Sequence, residues 1–404
     1  MSNPLPPAGP RDAMITGIGL ISCLGEGPEA HEAALYAPGG FAPVVERARF
    51  APYLVHPMAP IALDKQIPKR GDQRQMEPWQ RIGTYAAGLA LDQAGVKGNA
   101  ELLANTHMIV AAGGGERDYA ADAAILTDLP GAADPGAMLN QRLLSDLRPT
   151  LFLAQLSNLL AGNISIVHGV IGSSRTFMGE EAAGADALRI AQARIAAGQG
   201  ELFLVGGSYN AERADALLLM EMGGALLSGD FAGVWGRQAR GGGVVLGSVG
   251  CFLVIESRAH AQARGAAMLA RIAAIATDRG RREADATAAR ARALLDPMAG
   301  LLDQADSAII TTASGLAEPT LAEAGVLTPL DLPIRAVATA LGHSVEAAIP
   351  AAVALGALAI GRGQLFPPLE AVPAEAAMEA PLSRVLISGF GHWRGEAMAV
   401  LTRP

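Results

Sequence analysis

The sequence predicts an α/β protein built as two related halves, on three observations. Short runs rich in β-branched and apolar residues recur at 14–19, 108–113 and 203–207, and again at 269–275, 308–312 and 385–391, several of them leading into glycine-rich turns. Alanine-rich helical stretches lie between these runs. One strand–turn–helix unit occurs twice, around residues 178–199 and around 341–366. Such runs read as strands buried on both faces, the pattern of a central sheet covered by helices.

Taken in order, 14–19 is the first strand and 74–96 a helix. The strand at 108–113 ends in Gly113-Gly114-Gly115, which lacks the Gly-Lys-Ser/Thr of a phosphate loop and reads as a turn. Gly17-Ile18-Gly19 likewise lacks the third glycine and the downstream acid of a dinucleotide fingerprint. Residues 178–181 form a tight turn that opens an alanine-rich helix reaching Gly198, followed by the strand 203–207. Cys251 falls inside an apolar strand pattern as a small core residue. In the second half, 347–361 is uncharged, contains Pro350 and reads as a buried core helix too short to span a bilayer. The halves are expected at 13–256 and 257–404. Glu181 and His343 hold corresponding places in the duplicated unit, so a pseudo-two-fold would set them at facing helix N-termini. Free amide donors and positive potential there suit an anion or an oxyanion.

Composition narrows the function classes. With 404 residues, half of them hydrophobic, 17% charged and 48 glycines, the chain suits a closely packed α/β protein and not a disordered or fibrous one. Its net charge of −8 supplies no basic stripe for nucleic acid. Lys65, Lys69, Arg70, Arg74 and Arg81 cluster, but acids interrupt them, as on a solvated face. Cys23 and Cys251 are the only cysteines, and His31, His56, His107, His168 and His260 fall in no ligand spacing. No disulfide framework, metal or cofactor is implied. Residues 1–11 are proline-rich without an apolar signal core, so a cytoplasmic location is expected. The absence of Gly-x-Ser-x-Gly and His-Glu-x-x-His removes hydrolase and zincin readings.

Several stretches occur in the order of one family: Ile15-Thr16-Gly17-Ile18-Gly19-Leu20-Ile21-Ser22-Cys23-Leu24-Gly25, the helical 74–96, Gly243-Val244-Val245-Leu246-Gly247-Ser248-Val249-Gly250, and Gly342-His343. Through them, over residues 13–401, the chain resembles the β-ketoacyl-acyl-carrier-protein synthases. Cys23 stands where proline is usual in that family, and Val244 and Ser248 replace the Phe and Glu of its "GFVxGEGA". The resemblance implies a thiolase-like five-layer α/β/α/β/α fold with two pseudo-symmetric halves.

The family uses a Cys-His-His set with a nearby Lys: the thiolate accepts the acyl chain, and the histidines support decarboxylation and stabilise the enolate. By the resemblance, Glu181 occupies the Cys position, Ser314 the first His of "HGTGT", His343 the second His and Ala338 the Lys of "KxxxGH". One group of the four survives. The gating loop "FGFGG" reads Phe390-Gly391-His392-Trp393-Arg394-Gly395, and with Val244 these residues make up the implied pocket and gate. The bulk of Trp393 and Arg394 implies an acyl entrance that is filled or re-routed.

A Glu attacking a thioester would form an easily hydrolysed mixed anhydride, a poor store for an acyl chain. An ionised Glu181 would also oppose a malonyl carboxylate. At about 5 Å and an effective dielectric near 20 the repulsion is roughly 3 kcal/mol, on the order of a hundredfold in rate. The stretch Glu180-Glu181-Ala182-Ala183-Gly184-Ala185-Asp186-Ala187 is most similar to the chain-length-factor branch, which reads roughly "EQAGGLDA" and shapes the acyl tunnel beside an active ketosynthase. Residues 64–75 resemble ketosynthase-like subunits serving very-long-chain acyl groups of lipid A. The resemblance thus implies an impaired ketosynthase homologue in fatty-acyl or polyketide elongation. It would act with acyl carrier protein and pair with a Cys-bearing ketosynthase. The alternatives are an active condensing or malonyl-decarboxylating acyltransferase using His343, and a non-catalytic homodimer that binds acyl carrier protein.

Overall fold

The computed structural model describes residues 7–147, 149–281 and 286–404, so the first six residues of the proline-rich N-terminus lie outside it. Among the described residues the strands are β1 (Ala13–Ser22), β2 (Gly25–Glu26), β3 (Val55–His56), β4 (His107–Ala112), β5 (Ser174–Met178), β6 (Leu202–Tyr209), β7 (Leu246–Gly247), β8 (Val249–Ser257), β9 (Ala270–Arg281), β10 (Ser307–Thr311), β11 (Ile334–Ala336), β12 (Arg384–Phe390) and β13 (Arg394–Thr402). All six apolar runs form strands. They belong to one hydrogen-bonded order, β11-β10-β12-β13-β9-β1-β8-β6-β4-β5, with β2 on the end of β1.

The duplication is visible in that order. The first half runs β5-β4-β6-β8-β1 and the second β11-β10-β12-β13-β9, in both cases third, second, fourth, fifth and first strand of the half. In each, the first three neighbours are parallel and the last two pairings antiparallel. The halves meet where Ala13, Met14 and Ile15 pair with Ile272, Arg271 and Ala270.

Pleat alternation then builds five layers. Cys251, Leu253 and Ile255 of β8 face a central core, while Phe252 and Val254 face an outer one. The central layer holds the helices Ala182–Ala196 and Ala348–Arg362, each 15 residues long and packed on strands of both halves. The helix Pro78–Gln93 covers the outer face of the first sheet section, and Ala286–Ala299 and Ala317–Leu327 cover the second.

Two expectations are corrected. The single helix expected over 74–96 is two, Arg70–Gln75 and Pro78–Gln93. Pro78 has no N–H to give a helix interior, so the second helix restarts at it, with Glu77 and Gln80 forming a capping box. The run at 347–361, read as too short for a bilayer, belongs to a helical stretch Val345–Arg362 that is long and apolar enough to cross one. Yet 78% of that stretch is buried inside the protein, as its central core helix.

Gly19 shows how tightly the outer layer sits. A Cβ there would lie 1.8 Å from the Ala86 carbonyl oxygen, so the helix packs directly on the strand backbone. Gly19→Ala is expected to cost about 3 kcal/mol or more, by forcing helix and strand apart, and a lowered urea midpoint would report it.

Candidate active site

The duplicated unit places the central pair of side chains. Edge strand β5 ends at Met178, and the chain turns through Gly179 (φ 83°) and Glu180 (φ 66°) before Glu181 caps the helix Ala182–Ala196. Glu180 is a non-glycine residue in the left-handed region, and so is Val345 (φ 42°) on the opposing segment. Backbone strain therefore brackets the site on both sides.

Glu181 is 5% exposed, and its Oε1 accepts hydrogen bonds from His343 Nε2 at 2.9 Å and from the His392 amide at 3.1 Å. Burial alone would push this carboxyl up. The hydrogen bond and charge of His343, with the backbone amides of Glu181 and His392, more than offset it, so the group lies below the ordinary carboxylate range. Its Oε2 occupies the space a side chain on Gly391 would need, 2.9 Å from the Cβ position.

His343 is fixed through its backbone, donating to the Val245 carbonyl at 2.8 Å and accepting from the Gly247 amide at 3.0 Å. It does not stand at a helix N-terminus, as the sequence suggested. The turn Val345–Ala347 separates it from the helix Ala348–Arg362, so only Glu181 caps its own helix.

The residues expected at the other two positions of the set, Ser314 and Ala338, are enclosed. Ser314 is buried, its hydroxyl accepting the Leu316 amide at 3.2 Å and its carbonyl taking Arg237 Nη1 at 3.4 Å. Ala338 lines a void of about 10 Å³ with Thr312, His343 and Ser344, space for about one water. Among the described residues, Ser314 lines neither this void nor the larger pocket.

That larger pocket, of about 310 Å³, opens on the other side of Glu181 and is lined by Glu180, Arg213, Val345, Glu346, His392 and Trp393, among others. Space thus remains beside Glu181 with Trp393 on its wall. Three expected gate residues are corrected. Val244 packs in a separate core with Val55, Leu217 and Leu246. Phe390 joins the outer core with Leu386, Met398 and Val400. Arg394 lies at the surface, its Nε 2.8 Å from Glu180 Oε2, where it ties the C-terminal loop to the turn before Glu181.

One site residue escaped the sequence reading. Glu346 is 5% exposed and faces the pocket, and its carboxyl is pushed up to about 7, chiefly by burial; its own amide and Arg213 pull down while the charges of Glu181 and Glu180 add to the rise. Its signal was present, as a lone carboxylate in the otherwise uncharged residues 338–361.

Residues 11–261 match the family model "Beta-ketoacyl synthase, N-terminal domain". Among solved structures, the chain is similar to the ishigamide ketosynthase/chain length factor, with a TM-score of 0.78 and 22% identity over 98% of this chain and 99% of that one. It is also similar to a β-ketoacyl synthase from Burkholderia phymatum STM815, with a TM-score of 0.74 and 22% identity over 97% and 99%. An oxazolomycin ketosynthase domain from Streptomyces albus JA3453 superimposes with a TM-score of 0.75 and 17% identity over 97% and 74%. No curated protein sequence matches the chain. With more than half of its residues inside that family model, and the duplicated topology on which these structures superimpose, the chain belongs to the β-ketoacyl synthase family.

Proposed function

We propose that the protein is a condensation-impaired ketosynthase homologue that sets acyl chain length beside a Cys-bearing ketosynthase, in elongation on an acyl carrier protein. The observation that carries this reading is the closed Glu181–His343 pair at the position of the acyl-accepting thiol. A carboxylate held in its charged form is a poor acyl carrier and opposes a second carboxylate beside it. His343, the histidine of the family's set that is kept, is already bonded to it. Ala338 and Ser314, in place of the Lys and the first His, bring neither an ammonium nor an imidazole to stabilise an enolate, and the void beside Ala338 is only about 10 Å³.

The surface supports a partner. β5 is the edge strand of the first half, with Met178 at its end 64% exposed. Phe152 (73%), Leu144 (80%) and Met222 (80%) are further large apolar side chains left in solvent. An open strand edge and exposed apolar residues of this size suit burial against another subunit. By the same reading the division into halves at 13–256 and 257–404 falls at Ser257, the last residue of β8, just before the connection to β9.

Co-expression tests the proposal. The chain is expected to co-purify with a Cys-bearing ketosynthase and to change the length of its products. Leu219→Trp, which fills the pocket, is expected to shorten them. Unchanged product length with and without this chain would sink the proposal.

A further inference from the structure

The 310 Å³ pocket has a mostly apolar wall, with Trp79, Ala216, Leu219, Met220 and Trp393 along it, and a polar end whose groups are already engaged. Ser208 Oγ donates to the Trp79 carbonyl at 2.8 Å, and Asn210 Nδ2 donates to Glu116 Oε1 at 3.0 Å. Arg213 is bound to Asp215 at 2.5 Å and to the Gly115 carbonyl at 3.0 Å. Glu346 differs from these. Among the described residues its carboxyl has no side-chain hydrogen-bond partner, although it is 5% exposed, and its Oε1 fills the space a side chain on Gly113 would need.

We propose that Glu346 makes this pocket selective for an acyl chain carrying a neutral carbonyl or hydroxyl oxygen, over a plain hydrocarbon chain and over an anionic one. The inference rests on the reading above that the pocket receives an acyl chain. A hydrocarbon covering Glu346 would strip the carboxyl of water and return no hydrogen bond, whereas a carbonyl oxygen accepts its O–H. A carboxylate-ended chain would meet Glu180 and Glu181, with Arg213 already paired to Asp215. The ionisable groups on the pocket wall are Glu180, Glu181, Tyr209, Arg213, Asp215 and His392. Glu181 is held charged by His343 and Arg213 is matched by Asp215, whereas Glu346, with its carboxyl near 7, changes charge in neutral solution.

The probes are the N-acetylcysteamine thioesters of octanoate, 3-oxooctanoate, 7-oxooctanoate, 7-hydroxyoctanoate and suberate, titrated calorimetrically into the full chain. At pH 6 the best oxygenated neutral probe is expected to bind about tenfold tighter than octanoyl, the worth of one hydrogen bond to a buried group, with suberoyl weakest. At pH 8 the preference for the oxo probes is expected to fall, because an ionised carboxylate cannot donate, while the hydroxyl probe still donates to it. Glu346→Leu should abolish the preference, and Glu346→Gln should keep it without the pH dependence. Octanoyl binding as tightly as the oxygenated probes, or a preference surviving in Glu346→Leu, would overturn this inference and leave the acyl pocket standing. Binding of none of the thioesters would overturn both.

Discussion

Replacing His343 with alanine is expected to destabilise the protein by about 3–5 kcal/mol at pH 7, the cost of leaving one member of a buried pair behind. Glu181 is 5% exposed, and loss of His343 would leave its carboxyl with backbone amides but no side-chain partner. Urea unfolding of His343→Ala, Glu181→Gln and the double variant measures this, and the double variant should recover at least about 1 kcal/mol of the deficit. The sign of the pH dependence follows from the lowered carboxyl of Glu181: its pairing stabilises the fold above the ordinary carboxylate value and is lost in acid. The deficit should therefore narrow as pH falls below 4.5, the value of a free glutamate carboxyl. A histidine kept for catalysis would behave otherwise, with an unchanged urea midpoint in His343→Ala.

Glu346→Gln is expected to act in the opposite direction. The buried carboxyl lies at about 7, raised from the 4.5 of a free one. Protonated Glu346 is therefore accommodated at low pH, and the stability it contributes there is lost as pH rises through 7. The difference amounts to about 3 kcal/mol. Glutamine carries no charge to bury, so the variant should be more stable than the parent by about that amount at pH 8.5 and nearly equal to it near pH 4. Denaturant midpoints at the two pH values decide it. Equal midpoints for variant and parent at pH 8.5 would mean that Glu346 ionises without cost, with water reaching it through the pocket.

Much of the fold was legible because buried strands and close-packed helices leave simple marks. The run at 14–19 is apolar and glycine-bearing because β1 is covered on both faces and Gly19 admits the Ala86 carbonyl. The two central helices were legible as a repeat because both halves solve one packing problem with a 15-residue alanine-rich helix. Of the site, Glu181 and His343 were found through their place in that repeat. Phe390 was misplaced because a motif says which residues follow one another and not which face they take. β12 alternates, sending Val385 and Ile387 to the central core and Leu386 and Phe390 to the outer one, so Gly391 is the residue in phase with Glu181. Glu346 was missed for a related reason. Its depth in the pocket comes from the strained turn at Val345, which no periodicity predicts.

Carbon dioxide release from malonyl-acyl carrier protein tests the central claim most directly, measured for this chain alone and beside a Cys-bearing ketosynthase, with acyl products followed by mass spectrometry. The expected result is no release and no acylated protein from the chain alone, with release and elongation only when the partner is present. Release accompanied by elongation from the chain alone would contradict the account, since it would demand carbon–carbon bond formation without the thiol that the family resemblance expects at Glu181.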